Sequence, residues 1–323
     1  MYRIGVDLGG TNIAVGLVNK EFQILSKKST PTLAGRPNEE IVADIAALCR
    51  AVCAEAGVAL EAVEAVGIAS PGLVDQESGE VVYCNNIKMQ HFPMIPLLRE
   101  QIAVQNIYID NDANAAAWGE VVAGAAKGCR NAIMVTLGTG VGGGIIADGK
   151  IYKGFNSAGG ELGHTVICVD GRPCSCGRRG CWETYSSATG LIKTTQEKLE
   201  ECEKAGRPTK MTEIIAEKGK VNGRTAFDAM RAGDEAGTEV VNEYIKYLAA
   251  GLANMINIFQ PNVILIGGGI SNEGQSLVDR LTPEVIKQVF GSSYIQNTEI
   301  RIATLKNDAG IIGAAALGLE LSV

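Results

Sequence analysis

The sequence predicts an α/β fold made of two related halves. Strand-like runs at residues 63–69 and 106–110 alternate with helical patterns such as the apolar repeat at residues 41–52. The pattern of residues 4–11 returns at residues 133–140, where a strand, a polar residue, Leu, a glycine turn and a second strand follow one another again. Alternation favours an α/β sandwich with a largely shared sheet. The repetition indicates that each half offers one glycine turn.

The composition is that of a globular protein. The chain has 323 residues, of which 46% are hydrophobic and 20% charged, with a formal net charge of -7. This length is a soft prior for two domains. Because nucleic-acid and membrane-surface binding both need a basic face, the acidic balance argues against both partners. No apolar run approaches a membrane span, the N-terminus enters a strand at once, and the nine Cys are an odd number, so we expect a cytoplasmic protein.

The first glycine turn lies between two predicted strands at residues 4–8 and 13–18. A third strand-like run at residues 22–25 predicts a β-meander. Glycines let backbone N–H groups approach an anion, and neighbouring polar side chains add donors. A plain hairpin turn explains this loop equally well when it is taken alone. The candidate phosphate-binding residues are Gly9, Gly10, Thr11 and Asn12.

A second glycine turn, Gly138, Thr139 and Gly140, follows the predicted strand at residues 132–137. It matches the dinucleotide pattern Gly-x-Gly-x-x-Gly, but that pattern requires a helix next. Here a two-residue hairpin turn at Asp148 and Gly149 follows instead. A P-loop also fails, because Ile151 stands where Ser or Thr should bind Mg²⁺. We therefore expect the two glycine turns to share one polyphosphate across a cleft.

Two further features suit a nucleotide. Only the first copy of the repeated pattern carries an acid, Asp7, which is well placed to hold a metal ion bound to phosphate. A third glycine-rich strand end precedes a helix and suits the base and ribose. It consists of Gly267, Gly268 and Gly269.

Asn111 and Asp112 stand where a predicted strand meets an Ala-rich helix. Asp and Asn are favoured helix caps, so capping is the simpler interpretation of this motif alone. The alternative is that Asp112 points into a cleft as a base.

The stretch at residues 156–189 carries a predicted zinc site. His164, Cys174, Cys176 and Cys181 form a complete tetrahedral ligand set with no open position for a catalytic water, so the Zn²⁺ is expected to be structural. Gly177 and Gly180 supply tight turns between the thiols. Glu161 and Glu183 flank the ligands, which suggests a polar substrate nearby.

These motifs resemble the signature set of the repressor, open-reading-frame and kinase (ROK) family. The matching segments are Asp7–Thr11, Asn111–Asn114, Leu137–Gly140, Gly159–His164 and Cys174–Glu183, in the family's order. The run from Glu183 to Gly190 is especially similar to the ATP-dependent glucokinases of that family. The resemblance implies the actin-like, ribonuclease-H-like ATPase fold, with two α/β domains around a cleft. Residues 1–112 plus 306–323 would form the smaller domain, and residues 113–305 the larger domain with the zinc site.

The resemblance also implies roles for single residues. Asp112 would be the base that removes the proton from the 6-hydroxyl of glucose. The two glycine turns would bind the phosphates of ATP with Mg²⁺, Gly267 to Gly269 would bind adenosine, and His164 would also hold the zinc. Sugar hydroxyls would be bound by Gly72, Asn111, Glu161, His164 and Glu183.

Four further expectations concern the substrate, the repressor alternative, the oligomeric state and the loop at Met89. A kinase for another hexose, such as N-acetylmannosamine, fructose or allose, is compatible with the same motifs. A sugar-responsive repressor is disfavoured, because such members carry a helix-turn-helix domain ahead of the first glycine turn, whereas Asp7 is seven residues into this acidic chain. Dimers are usual for the family, so we expect a homodimer or larger homo-oligomer. Met89 stands where the family commonly has an aromatic residue, which puts a sugar contact from that loop in doubt.

Overall fold

The computed structural model describes residues 1–319. The described chain forms two compact units. Unit 1 contains Met1–Met134, Gly144–Gly160 and the segment from Ala303 onward, and unit 2 contains Val135–Gly143 and Glu161–Ile302. These units and the predicted domains divide the chain differently, since the predicted boundary at residue 112 precedes a helix that packs within unit 1. The predicted domain boundaries stay a prediction, and residues 320–323 lie outside the described part.

Thirteen strands are present in the described residues. They are β1 (Tyr2–Leu8), β2 (Asn12–Val18), β3 (Ile24–Pro31), β4 (Val63–Ser70), β5 (Leu73–Asp75), β6 (Glu80–Cys84), β7 (Met89–Phe92), β8 (Asn106–Asn111), β9 (Ala132–Leu137), β10 (Val141–Ala147), β11 (Lys150–Ile151), β12 (Val263–Gly267) and β13 (Glu299–Ile302).

Ten α-helices accompany them in the same part of the chain. They are α1 (Asn38–Ala56), α2 (Met94–Arg99), α3 (Asp112–Ala123), α4 (Glu183–Ser186), α5 (Ala188–Lys204), α6 (Lys210–Lys218), α7 (Thr225–Arg231), α8 (Glu235–Phe259), α9 (Gln275–Ile286) and α10 (Ala309–Ala315).

The first sheet confirms the predicted meander. Its strand order is β3-β2-β1-β4-β8, with β1, β2 and β3 antiparallel and β4 and β8 parallel to β1. The inward side chains of these strands are fully buried, and helix α1 covers them with Ile41, Ile45 and Val52. The parallel strands β1, β4 and β8 therefore end near one another, at the edge that carries the first glycine turn and the junction before α3.

Helix α10 packs against this sheet at positions that only glycine can occupy. A Cβ atom on Gly5 would lie 1.8 Å from the carbonyl oxygen of Ile311, and one on Gly67 would lie 1.8 Å from that of Ala314. Buried Arg3 donates to the backbone oxygens of Ala315 and Leu317, which are carbonyls left without partners at the helix end. The C-terminal helix is thus fixed to the first strand of the chain, as the family resemblance implies.

The second sheet has the order β11-β10-β9-β12-β13. The predicted turn between β10 and β11 is present, and Asp148 and Gly149 have φ angles of 50° and 77°. Two successive left-handed residues are what a type I′ hairpin turn requires. This strand after the second glycine turn confirms that neither a dinucleotide fold nor a P-loop lies here.

Helix α8 is the centre of unit 2, and its buried face includes Val240, Tyr244, Leu248 and Leu252. The predicted helix that follows Gly269 is shorter than expected, because α9 ends at Ile286 rather than near residue 290. The sequence also missed α2 and the three-stranded sheet β5-β6-β7. No helix within residues 1–319 is both long enough and apolar enough to span a membrane.

Candidate active site

The first glycine turn is a closed hairpin loop. The backbone N–H of Gly9 donates to the carbonyl oxygen of Asn12 at 2.9 Å, and the Thr32 hydroxyl donates to the carbonyl oxygen of Gly9 at 2.6 Å. Gly10, Thr11 and Asn12 are exposed at its tip. The hairpin and the anion-binding interpretations are therefore compatible, since a rigid hairpin presents its tip to solvent.

Asp7 lies just before this turn and is poorly solvated. Burial and, to a lesser extent, the charge of Asp112 raise the pKa of its carboxyl from 3.8 to about 6, while Lys27 opposes the shift. Helix α10 contributes to this burial, because a Cβ on Gly310 would lie 2.8 Å from the Asp7 carboxylate. A buried carboxylate beside a second acid is a good ligand for a cation, because the cation removes the repulsion.

Replacing Asp7 with Asn is expected to raise stability while weakening binding of Mg-ATP. The folded-state pKa lies above the unfolded value, so ionisation of Asp7 costs stability as the pH rises from about 4 through 6. The shift from 3.8 to about 6 corresponds to roughly 3 kcal/mol above that range. The Tm of Asp7→Asn should exceed that of the wild type at pH 8, and the gain should shrink towards pH 4. An unchanged KM for Mg-ATP would contradict the assigned metal-binding role.

Asn111 and Asp112 occupy different positions at the start of α3. Asn111 is the N-cap, and its side-chain oxygen accepts from the backbone N–H of Ala113 at 2.9 Å and of Asn114 at 3.3 Å. Its amide nitrogen donates to the carbonyl oxygen of Gly72 at 3.0 Å. Asp112 is the first helical residue and is exposed. The capping interpretation therefore holds for Asn111, while the Asp112 carboxylate faces solvent.

Asp110, to which the sequence motifs gave no role, hydrogen-bonds to the residues at this junction. One of its carboxylate oxygens accepts from the backbone N–H of Asn111 at 2.7 Å and from the Asn114 amide at 3.0 Å. The other accepts from the Gln76 amide and lies 3.7 Å from the Lys153 ammonium. Burial raises the pKa of Asp110, and these partners oppose the shift. An acid at the end of a buried strand, next to a cap residue, is the sequence signal that could have identified it.

The second glycine turn, in unit 2, is held by residues that follow the zinc loop. The N–H of Val141 donates to Oε2 of Glu183 at 2.9 Å, and the N–H of Ala188 donates to the carbonyl oxygen of Gly138 at 2.8 Å. The Thr189 hydroxyl donates to the carbonyl oxygen of Thr139 at 2.8 Å. This turn is thus attached to Glu183 and to the N-terminus of α5.

Gly268 connects the third glycine segment to the same region of unit 2. A Cβ atom on Gly268 would lie 2.6 Å from backbone atoms of Leu137, the last residue of β9. Its φ of 79° is left-handed, which also favours glycine. The predicted adenosine segment therefore begins beside the second glycine turn.

The four predicted zinc ligands converge. Their ligand atoms all lie within 4.8 Å of one another. Nδ1 of His164 lies 3.7 Å from Sγ of Cys174, and Sγ of Cys176 lies 3.6 Å from Sγ of Cys181. Tetrahedral zinc with bonds of about 2.0 to 2.3 Å requires separations of about 3.6 Å for nitrogen to sulfur and about 3.8 Å between sulfurs. The donor set and its spacing fit a zinc ion.

The loop that carries these ligands is shaped by its glycines. Gly177 and Gly180 have φ angles of 86° and 77°, which confirms the tight turns predicted there. The backbone N–H of Arg178 lowers the pKa of Cys176 to about 6, whereas burial raises the pKa of Cys181 to about 12. A bound divalent cation would favour the thiolate at both positions.

A cavity of about 450 Å³ in unit 2 brings several predicted residues together. Thr139 and Gly140 of the glycine turn, Cys174 of the zinc loop and Glu183 all line it. Glu161 and His164 are not among its lining residues. Met89 is 1% exposed and belongs to the core of unit 1, so it presents no surface to a sugar. His91 is exposed, and its Nδ1 lies 3.6 Å from a Glu80 carboxylate oxygen.

Comparison with known proteins supports the resemblance found in the motifs. The model of the ROK family matches residues 3–320. A glucokinase of Halalkalibacterium halodurans is 36% identical over 320 residues, which cover 97% of this chain and 94% of that protein. The structure of a ROK family glucokinase from Streptomyces griseus in complex with glucose and AMPPNP is 33% identical, with a TM-score of 0.77 over 98% of this chain and 99% of that chain. These likenesses confirm the predicted actin-like fold of two α/β domains.

Proteins with other functions match nearly as much of the chain. An N-acetylmannosamine kinase of Citrobacter koseri is 27% identical and covers 98% of both chains. A xylose repressor of Caldicellulosiruptor bescii is 28% identical over 97% of this chain and 77% of its own length. Relatives of this chain thus include kinases and repressors named for different sugars.

Proposed function

We propose that this chain, which belongs to the ROK family and is an ATP-dependent sugar kinase, phosphorylates glucose on its 6-hydroxyl. The observation that carries the proposal is that Asn111 and Asp112 occupy different positions at the start of α3. Asn111 is the N-cap of α3, whereas the carboxylate of Asp112 is exposed at the first helical position and accepts from the backbone N–H of Ala113 at 2.9 Å through Oδ1. The relatives that support glucose as the substrate are glucokinases about one third identical over the whole chain.

Asp112 is the general base in this proposal. Its carboxylate accepts the proton of the sugar hydroxyl while the hydroxyl oxygen forms a bond to the γ-phosphorus and the bond to the ADP oxygen breaks. A sugar hydroxyl is a poor nucleophile, so a positioned acceptor for its proton typically raises the reaction rate about 10² to 10⁴-fold. Asp110 holds the backbone of this junction through the N–H of Asn111 and thereby positions the base.

The sugar contacts are assigned to Gly72, Asn111, Glu161, His164 and Glu183. The Asn111 amide nitrogen uses one hydrogen on the carbonyl oxygen of Gly72, which leaves its second hydrogen for a sugar oxygen. His164 turns Nδ1 towards Cys174, which leaves Nε2 for a hydroxyl. Sites that hydrogen-bond hydroxyls reject sugars that lack them, because buried partners are then unpaired.

ATP is assigned to the three glycine segments. The first turn, Gly9 to Asn12, and the second turn, Gly138 to Gly140, bind the phosphates, and Gly267 to Gly269 bind the adenosine. The N–H groups of Gly9 and Gly138 donate within the turns themselves, so other groups of the two turns donate to the phosphates. Mg²⁺ held by Asp7 supplies charge neutralisation at the phosphates, which is the main requirement of phosphoryl transfer. The predicted cytoplasmic location and homo-oligomeric state stay predictions.

Zinc is assigned to the His164, Cys174, Cys176 and Cys181 cluster as a structural ion. Four protein ligands leave no open coordination position, so the ion would order the loop rather than activate water. The matching separations of the ligand atoms support this assignment.

A panel of hexoses tests the choice of substrate. ADP release with Mg-ATP should give the highest kcat/KM for glucose among glucose, mannose, fructose, allose and N-acetylmannosamine. The second candidate is a kinase for another of these sugars, which the N-acetylmannosamine kinase relative favours. If another sugar ranked well above glucose, the glucose assignment would be wrong while the kinase assignment would stand. A gel shift at low salt tests the repressor alternative, for which we expect no specific complex.

A further inference from the structure

We propose that Gly140 is a positioning residue for sugar binding, although it lies in a turn assigned to ATP. The absence of a side chain at Gly140 lets the Glu183 carboxylate rest against the second glycine turn, and this contact sets the orientation in which Glu183 meets the sugar. The inference rests on the proposed function, since it takes Glu183 as a sugar ligand.

The contact between Glu183 and the turn is short and directional. Oε2 of Glu183 accepts from the N–H of Val141 at 2.9 Å. A methyl group on Gly140 would lie 2.3 Å from the same oxygen and 3.2 Å from the carboxylate carbon. Oxygen and carbon cannot approach to 2.3 Å, so any side chain at Gly140 must displace the carboxylate.

The backbone next to Glu183 is held in place, so it does not shift to relieve this contact. Trp182, the preceding residue, is fully buried and packs on α8 so closely that a Cβ on Gly251 would lie 2.0 Å from its ring. Its indole N–H donates to the carbonyl oxygen of Tyr247 at 3.1 Å, and its backbone N–H donates to that of Thr165 at 2.8 Å. With the main chain held at Trp182, the Glu183 side chain has to rotate.

Rotation would move both carboxylate oxygens, because they are rigidly joined. Oε2 accepts a hydrogen bond from the N–H of Val141, and the sugar hydroxyl is assigned to Oε1. Misplacing a substrate-positioning group by 1 Å can lower the reaction rate on the order of 10²-fold. The same contact works in the other direction, because a shorter side chain at position 183 would release the N–H of Val141 and loosen the turn that binds phosphate.

Gly138 provides a matched control in the same turn. A methyl group on Gly138 would meet no atom within 4 Å, in contrast to one on Gly140. Neither glycine has a left-handed φ, so alanine causes no backbone strain at either position. The two variants therefore add the same methyl group and differ in the contact with Glu183.

The experiment measures sugar binding by calorimetry without nucleotide, so that effects on ATP do not enter. The sugar is the hexose with the highest kcat/KM in the panel, which keeps failure of the glucose assignment separate from failure of this inference. Gly140→Ala should raise the sugar Kd at least ~10-fold, whereas Gly138→Ala should change it less than about 3-fold. Unchanged binding in Gly140→Ala, or equal losses in both variants, would overturn the proposal.

Shortening Glu183 supplies a second test. In a Glu183→Asp background, adding Gly140→Ala should change the sugar Kd less than about 3-fold, because the displaced group is already absent. Additive losses would contradict the coupling. Should Gly140→Ala fail to fold, Glu183→Asp alone still decides, since the proposal requires it to raise KM for ATP at least about 5-fold. An unchanged KM for ATP would overturn the link between the turn and the sugar ligand.

Discussion

Asp112→Asn is expected to lower kcat by at least ~10²-fold while the protein stays folded. Asparagine keeps the size and the exposed position of the side chain, and the N-cap is supplied by Asn111. The amide oxygen of Asn can still accept from the N–H of Ala113, as Oδ1 of Asp112 does. The change removes only the ability to take a proton at the reacting hydroxyl. Steady-state kinetics with saturating sugar and Mg-ATP measures the effect, and thermal unfolding monitors the fold.

Asp279→Asn is the control for this prediction. Asp279 is exposed on α9, accepts from the Gln275 amide at 2.8 Å and is not one of the residues assigned to substrate. The same chemical change should leave kcat within about 2-fold there, as is usual for surface substitutions. Near-normal turnover of Asp112→Asn would remove Asp112 from the mechanism.

Cys176→Ser is expected to release the zinc and to raise the sugar Kd at least ~10-fold. Loss of one thiolate from a four-ligand site lowers its affinity for zinc. Without the zinc, His164 loses the partner that orients its ring. The loop from Cys174 to Cys181 is also joined to Glu183 through α4, so disorder there should spread to the sugar ligands. Metal content by mass spectrometry and sugar affinity by calorimetry measure the two effects on one preparation.

Cys129→Ser is the matched control, because Cys129 is half-buried in unit 1 and is not one of the four clustered ligands. It should retain the metal and the sugar affinity. A Cys176→Ser protein that lost zinc but bound the sugar normally would show that the metal and the sugar site are independent.

Local sequence patterns predicted many strands and turns of this protein, because the residues in these elements are strongly periodic. The meander at residues 2–31 and the hairpin turn at Asp148 and Gly149 were recognisable from alternation and turn chemistry. The zinc ligands converge as expected because all of them fall within eighteen residues of one another. The family motifs predicted the actin-like fold, which the solved relatives confirm.

Other features depend on contacts between distant segments. The sheet β5-β6-β7 consists of strands of three to five residues, too short for a reliable alternating pattern. Asp110 is bound by Gln76, which lies 34 residues earlier in the chain. The turn at Gly140 and Val141 contacts Glu183, which lies 43 and 42 residues after them. Met89 was a doubtful sugar contact, and burial in the core of unit 1 explains why.

The attachment of Arg3 to the end of α10 has a consequence for synthesis of the chain. The hydrogen bond from Arg3 to Ala315 joins residues 312 positions apart, and the close contacts of Gly5 and Gly67 with the same helix have no substitute earlier in the sequence. At roughly 5 to 20 residues per second, the first strand waits on the order of tens of seconds at the ribosome before its partner helix exists. Unit 1 therefore completes its core only after α10 has been synthesised, whereas unit 2, whose last residue is Ile302, can fold earlier.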